Sequence, residues 1–159
     1  MPIDRRHLGR RYGPYRFEVG RESILDFIAA TDGGVPGRVF CTGGASAAVR
    51  DAVEKPASPS AVPAPLVAPP TYAAVFAMQP FATACSDPEL ALHVLRLVHS
   101  EQAFEFLEPV RAGDILFTTG EITRIQERGN LDFLEVTTES VDQHGRRVVR
   151  GVWTAIVRN

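Results

Sequence analysis

PPTYAAVFAMQPFATACSD, running from Pro69 to Asp87, is the most apolar stretch of the chain, and any fold has to be built around it. Tyr72, Val75, Phe76, Met78 and Phe81 spread apolar side chains around much of a helix, and a helix apolar on nearly every side is a buried one. Pro69 and Pro70 suit its first turn, where the missing N–H costs nothing, whereas Pro80 is expected to kink or end a regular segment.

Downstream the period changes. QAFEFL (102–107), ILFTTGEITRI (115–125), LDFLEVTTESV (131–141) and VVRGVWTAIV (148–157) read as strands, with turn signals between them at 111–114, 127–130 and 142–145. Three hairpin-like returns in sequence predict an antiparallel meander, and the apolar helix before it gives the sheet something to wrap. The expected fold class is α+β, a curved antiparallel sheet around a central hydrophobic helix.

Upstream, YRFEVGRESILDFIAAT (15–31) alternates and then turns helical, since Ile24, Phe27 and Ile28 recur at i, i+3, i+4. A short strand, Gly20 and a helix are expected, with the helix stopping at Thr31-Asp32-Gly33-Gly34. From about 35 to 67 the text is rich in Pro, Ala and Gly and poor in large apolar residues, so it buries little. The expected organisation is one domain over 1–159 with an insertion at about 35–67.

With 159 residues, 45% of them hydrophobic, the chain is long enough for one core. A formal net charge of −2 gives no electrostatic reason to expect nucleic acid or an anionic membrane as partner. Cys41 and Cys85 lack CxxC spacing, so no metal site and no disulfide framework are expected, and no cofactor is implied. The basic N-terminus has no apolar core and no window approaches the ~20 apolar residues of a membrane span. A cytoplasmic location is expected.

A second stretch, HSEQAFEFLEPVRAGD (99–114), carries a resemblance. Together with VGRESILDFIAAT, the Pro-Pro-Thr before the apolar helix and the closing WTAIVR, it resembles the MaoC-like dehydratase family with the hotdog fold, in particular the single-hotdog subunits of (3R)-hydroxyacyl-ACP dehydratases. The family stretch is close to H-G-E-Q-x-F-x-Y-x-R-P-x-x-A-G-D. Here His99, Ser100, Glu101, Gln102, Phe104, Phe106, Glu108, Pro109, Ala112, Gly113 and Asp114 occupy its positions. The resemblance implies a protein of 3-hydroxyacyl-thioester dehydration in fatty-acid or polyketide-type chain processing, acting on an acyl group carried by an acyl-carrier protein or CoA.

Active members carry a loop resembling G-D-x-N-P-x-H after the first helix. The corresponding text here is ATDGGVPGRVF, in which Asp32 stands for the motif's Asp but no His follows before His93. The resemblance therefore implies one half of a heterodimeric dehydratase, paired with a second hotdog subunit that holds the intact loop. Two alternatives stand beside it: a stand-alone homodimer with a modified site, and a non-catalytic acyl-binding or scaffold protein.

The candidate residues follow. Asp32 is either catalytic or a turn-former at a helix end. His99 is a pocket-facing base, aided by the near-neutral titration of imidazole, or a hydrogen-bonded structural His at the subunit seam. Gln102, in phase with Phe104 and Phe106, orients a thioester or sits buried against backbone. Thr71 and Tyr72 begin the apolar helix, where amide groups can face a carbonyl oxygen developing charge; the plainer reading is that Thr71 caps and Tyr72 packs. Arg111 and the N-terminal Arg5, Arg6, Arg10 and Arg11 are candidates for phosphate or acidic carrier contacts, or simply solvated surface.

Overall fold

The computed structural model describes residues 3–31 and 66–158. Within them lie five strands, β1 (Arg11–Glu18), β2 (Leu97–Phe106), β3 (Ile115–Arg128), β4 (Leu131–Val141) and β5 (Arg147–Arg158). The α-helices are α1 (Arg21–Thr31), α2 (Ala73–Ala77) and α3 (Gln79–Cys85). All strand pairs are antiparallel in the spatial order β1-β3-β4-β5-β2. Among the described residues no helix is long and apolar enough to cross a membrane.

Two of the three expected hairpins form, β3–β4 across Gly129-Asn130 and β4–β5 across the 142–146 turn. The Asp142 carboxylate organises the second turn by accepting from the backbone N–H groups of His144 and Arg146, each at 2.9 Å. The first expected return, from β2 to β3, is not a hairpin. β2 lies at the far edge beside β5, and β3 sits next to β1. The link, residues 107–114, is too long for a tight turn and its backbone bonds elsewhere. Leu107 N–H donates to Val148 O, Ala112 N–H to Leu66 O and Gly113 N–H to Val19 O, while Ala68 N–H donates to Val110 O. Those partners carry the chain across the end of the sheet instead of folding it back.

One face of the sheet makes the core. Along β4 every second residue, from Asp132 to Ser140, is buried, and on β5 Trp153 and Ala155 are fully buried. α2 and α3 lie on this face with Phe76, Ala77, Phe81 and Ala84 turned into it. Each fully buried large side chain contributes roughly 1.5–3 kcal/mol. The polar groups caught between are paired: Trp153 Nε1–H donates to Thr138 Oγ1 at 2.9 Å, and the Thr118 and Ser140 hydroxyls lie 2.8 Å apart.

Pro80 divides the apolar segment at Met78, as its geometry requires. Its ring rests on Gly120 of β3, where a Cβ would collide with the Pro80 Cβ, so the glycine is what lets the helix approach the sheet so closely. The expectation of a helix buried all round is corrected. Val75 and Met78 are each 44% exposed, and Gln79 and Ala82 on the same side are exposed too. α3 packs over β1, β3 and β4 and α2 over β3, β4 and β5, so among the described residues the helices lie over the middle of the sheet and meet the β2 edge through Phe81 and His99.

Candidate functional site

Among the described residues β2 pairs only with β5, and its core-side residues follow from the register. Gln102 opposes Trp153, Phe104 opposes Gly151 and Phe106 opposes Val149. Directly opposed residues share a face, so all three look toward the helices. His99 is three residues from Gln102, an interval that would put it on the other side of a regular strand. The register slips between His99 and Glu101, a bulge that lets His99 oppose the buried Ala155. Ser100 ties the bulge down by donating its hydroxyl to Thr154 O at 3.1 Å.

His99 and Gln102 thus lie on the same face, and both are exposed. The His99 ring packs against Phe81 (centroids 5.0 Å apart) and Trp153 (5.6 Å). Within this chain no hydrogen bond holds the imidazole among the described residues. Phe104 meets the Trp153 ring edge to face at 5.3 Å.

At the other end of β2 a cavity of about 340 Å³ opens between the start of α2 and the 107–114 link. Phe106, Leu107 and Val110 wall one side, Pro70, Tyr72 and Phe76 the other, and Glu108 supplies the carboxylate among the lining residues. Sequence reasoning missed this cavity as such, although Pro69-Pro70 and Pro109 mark the two backbone breaks that frame it. Its size and apolar walls suit a hydrocarbon chain or a similar small apolar group.

Of the predicted residues that are described, Tyr72 alone lines this cavity. It is 1% exposed, its hydroxyl is 2.8 Å from Ser23 Oγ, and its ring meets Phe27 edge-on at 5.3 Å, so it fixes α1 against the helix start. Thr71 is exposed and makes no capping bond. The amides expected to be free are used: Tyr72 N–H donates to Pro69 O, and Ala73 N–H to the carbonyls of Pro70 and Thr71. His99 and Gln102 stand about 10–20 Å farther along β2, by strand rise. Asp32 lies outside the described residues, as does nearly all of the 35–67 insertion.

A second polar cluster sits beyond the C-terminus of α3. Asp87 accepts from Tyr12 Oη (2.9 Å) and the Glu89 amide (2.9 Å) and lies 3.0 Å from Arg10, which also pairs with Glu89 at 2.5 Å. Burial works against the Asp87 carboxylate, but these donors and the Arg10 charge outweigh it and hold its pKa below the usual range. Burial, then the bond to Asp87, pushes Tyr12 up. This cluster clamps the N-terminal segment and removes Arg10 from the candidate phosphate contacts; Arg6 and Arg11 pair with Asp4 and Glu121. Cys85 is pushed up to about 11 by burial and stays a thiol near neutrality.

A sheet cupping a central helix, with a half-bare edge strand and an apolar cavity at the helix start, defines a hotdog protein. The chain belongs to the family described as "FAS1-like, dehydratase domain region", which matches residues 6–150. It is similar to a UPF0336 protein from Streptomyces avermitilis, 32% identical over 99% of this chain and 97% of the relative. A UPF0336 protein from Streptomyces coelicolor is 34% identical over 99% and 95%. Among solved structures it resembles a chain of the C-terminally truncated HadBC (3R-hydroxyacyl-ACP dehydratase) complex from Mycobacterium tuberculosis, with 23% identity, TM-score 0.67 and coverage of 98% and 99%. R-hydratase PhaJ1 from Pseudomonas aeruginosa shares the fold at 16% identity and TM-score 0.57, over 96% of this chain and 82% of that one.

Proposed function

We propose that this chain is the acyl-binding half of a (3R)-3-hydroxyacyl-thioester dehydratase, working beside a second hotdog subunit that carries the acid and base. The observation that supports it is the pairing of an apolar cavity with a substituted loop sequence. The wall for a hydrocarbon tail is present in this chain, while the motif's His is missing from its sequence. In the reaction a base takes the proton α to the thioester, the electron pair forms the double bond, and an acid protonates the departing β-hydroxyl as water. On this reading those groups come from the partner. The outer edge of β2, ten residues long, suits a sheet-to-sheet junction, since a strand edge of that length is otherwise an aggregation hazard.

The test is reconstitution. The chain is co-expressed with a hotdog protein that has the intact Asp and His loop, and water loss from 3-hydroxyacyl thioesters is followed. Activity of the partner that is unchanged by adding this chain rules the reading out.

His99 favours a second reading, in which this chain is catalytic as a homodimer. Its ring is exposed, faces the helix side and has no hydrogen-bond partner among the described residues. Turnover by the purified chain alone, abolished in His99→Ala, would select this reading over the first.

A further inference from the structure

The outer face of the sheet, turned away from α2 and α3, is unevenly charged. At the end where β2 meets its link to β3 the arginines are neutralised: Arg147 lies 3.6 Å from Glu139 and Arg150 lies 3.9 Å from Glu105. The opposite end is different. The register sets Arg128, Leu131 and Arg158 in one row across β3, β4 and β5. The next outer row holds Gln126, Phe133, Ile156 and Val98, and only the third brings acids, Glu135 and Glu101.

Exposed aliphatic side chains also gather at this end. Leu95 is 93% exposed, Val98 63% and Val94 61%. Arg96 and Arg158 flank a shallow cleft floored by Leu131 and Ile156, and the Arg128 guanidinium lies over the Phe133 ring at 5.4 Å. Among the described residues none of Arg96, Arg128 and Arg158 makes an ion pair. A chain of net charge −2 thus gathers three guanidinium groups, without an ion pair among the described residues, around an exposed aliphatic centre. Arginine around an apolar centre is the composition of a protein interface, and a one-sign patch attracts a partner of the other sign.

We propose that this face docks the acidic surface of the carrier protein that presents the acyl group; the identity of the carrier rests on the acyl-thioester reading above. Charge complementarity selects a protein over a free phosphate. Carboxylates on a helix meet Arg96, Arg128 and Arg158, and an apolar side chain between them fills the Leu95–Val98–Ile156 strip, which a phosphate leaves uncovered.

The experiment uses the full chain and a fluorescently labelled apo acyl-carrier protein, which has neither prosthetic arm nor acyl group, followed by anisotropy. Binding is expected to weaken steeply with added salt, and Arg128→Glu with Arg158→Glu is expected to lower affinity by about tenfold or more. Arg147→Glu, at the neutralised end, is expected to bind like the parent. Hydrogen exchange on the unmodified chain is expected to show carrier-dependent protection over 95–98 and 128–133, which keeps the test decisive if the double variant misfolds. Protection absent there, or parental affinity in a folded double variant, overturns the docking face. A parallel assay with a 3-hydroxyacyl-CoA separates the two ideas. Thioester binding without carrier docking removes this proposal alone, and docking without any thioester binding removes the proposed function alone.

Discussion

The imidazole of His99 and the ring of Phe81 lie with their centroids 5.0 Å apart, which couples the edge strand to the last turns of the central helix. One partner is exposed and the other buried, so the two substitutions should separate. Phe81→Ala removes a core ring and is expected to cost about 3–5 kcal/mol, read as a fall in denaturation midpoint. His99→Ala is expected to stay within about 1 kcal/mol of the parent. In the reconstituted heterodimer it should change kcat by less than about tenfold. A loss of about 10²–10⁴-fold would instead mark His99 as the acid or base.

Gly151 faces Phe104 across the β2–β5 pair, and a methyl group there would stand 2.6 Å from Thr138 Oγ1 and 2.8 Å from Trp153 Nε1. Gly151→Ala is expected to cost about 1–3 kcal/mol through overpacking. The displaced Trp153 should report it as a change in near-ultraviolet circular dichroism. An unchanged spectrum and midpoint would mean that the Trp153–Thr138 contact has more room than its geometry indicates.

Acid should loosen the N-terminal clamp. Folding lowers the proton affinity of Asp87, so the unfolded chain binds that proton more tightly. The contribution is complete above the ordinary carboxylate pKa of about 4 and is lost as pH falls through the lower folded value. Asp87→Asn is expected to destabilise the chain at neutral pH by about 1.5–3 kcal/mol, the worth of charge-assisted bonds. It should also flatten the acid limb of stability against pH, leaving the part due to Asp142, which is likewise held low, against its burial, by the Arg146 and His144 amides and the Arg146 guanidinium. An identical acid limb in parent and variant would contradict the clamp.

Filling the cavity should remove ligand stabilisation without unfolding the chain. Ala73, 2% exposed and in the cavity wall, has room on that side. An acyl-CoA at about a hundred times its Kd stabilises the parent by about 2.7 kcal/mol. Ala73→Leu is expected to shrink that shift while keeping a cooperative melt. An equal shift in both proteins would place the acyl tail somewhere else.

The helix at 70–85 and the strands after Ile115 were legible because burial there is periodic and the turns are short and rich in Gly, Asn and Asp. The placement of β2 was not. QAFEFL followed by Pro109 and Ala-Gly-Asp has the local signature of a hairpin, and only the bonds of the link to Val148, Leu66 and Val19 show that it crosses the sheet. Gln102 could be placed on the helix side from its phase with Phe104 and Phe106. The cavity could not be read, because it joins residues near 70 to residues near 108 through tertiary packing alone. The full burial expected of the central helix failed for a simple reason: apolar side chains on every side say what a helix tolerates, not how wide the sheet is that meets it.

The bulge at Ser100 makes an odd interval behave as an even one. A shortened chain lacking that single serine would run straight from His99 into Glu101 and still present the imidazole and the Gln102 amide to the same side. Restoring a regular ladder with all residues kept would instead swing the ring out to the convex surface and draw Val98 in. Parity along this strand is therefore set by the one extra residue at position 100, whose hydroxyl is tied to Thr154 O.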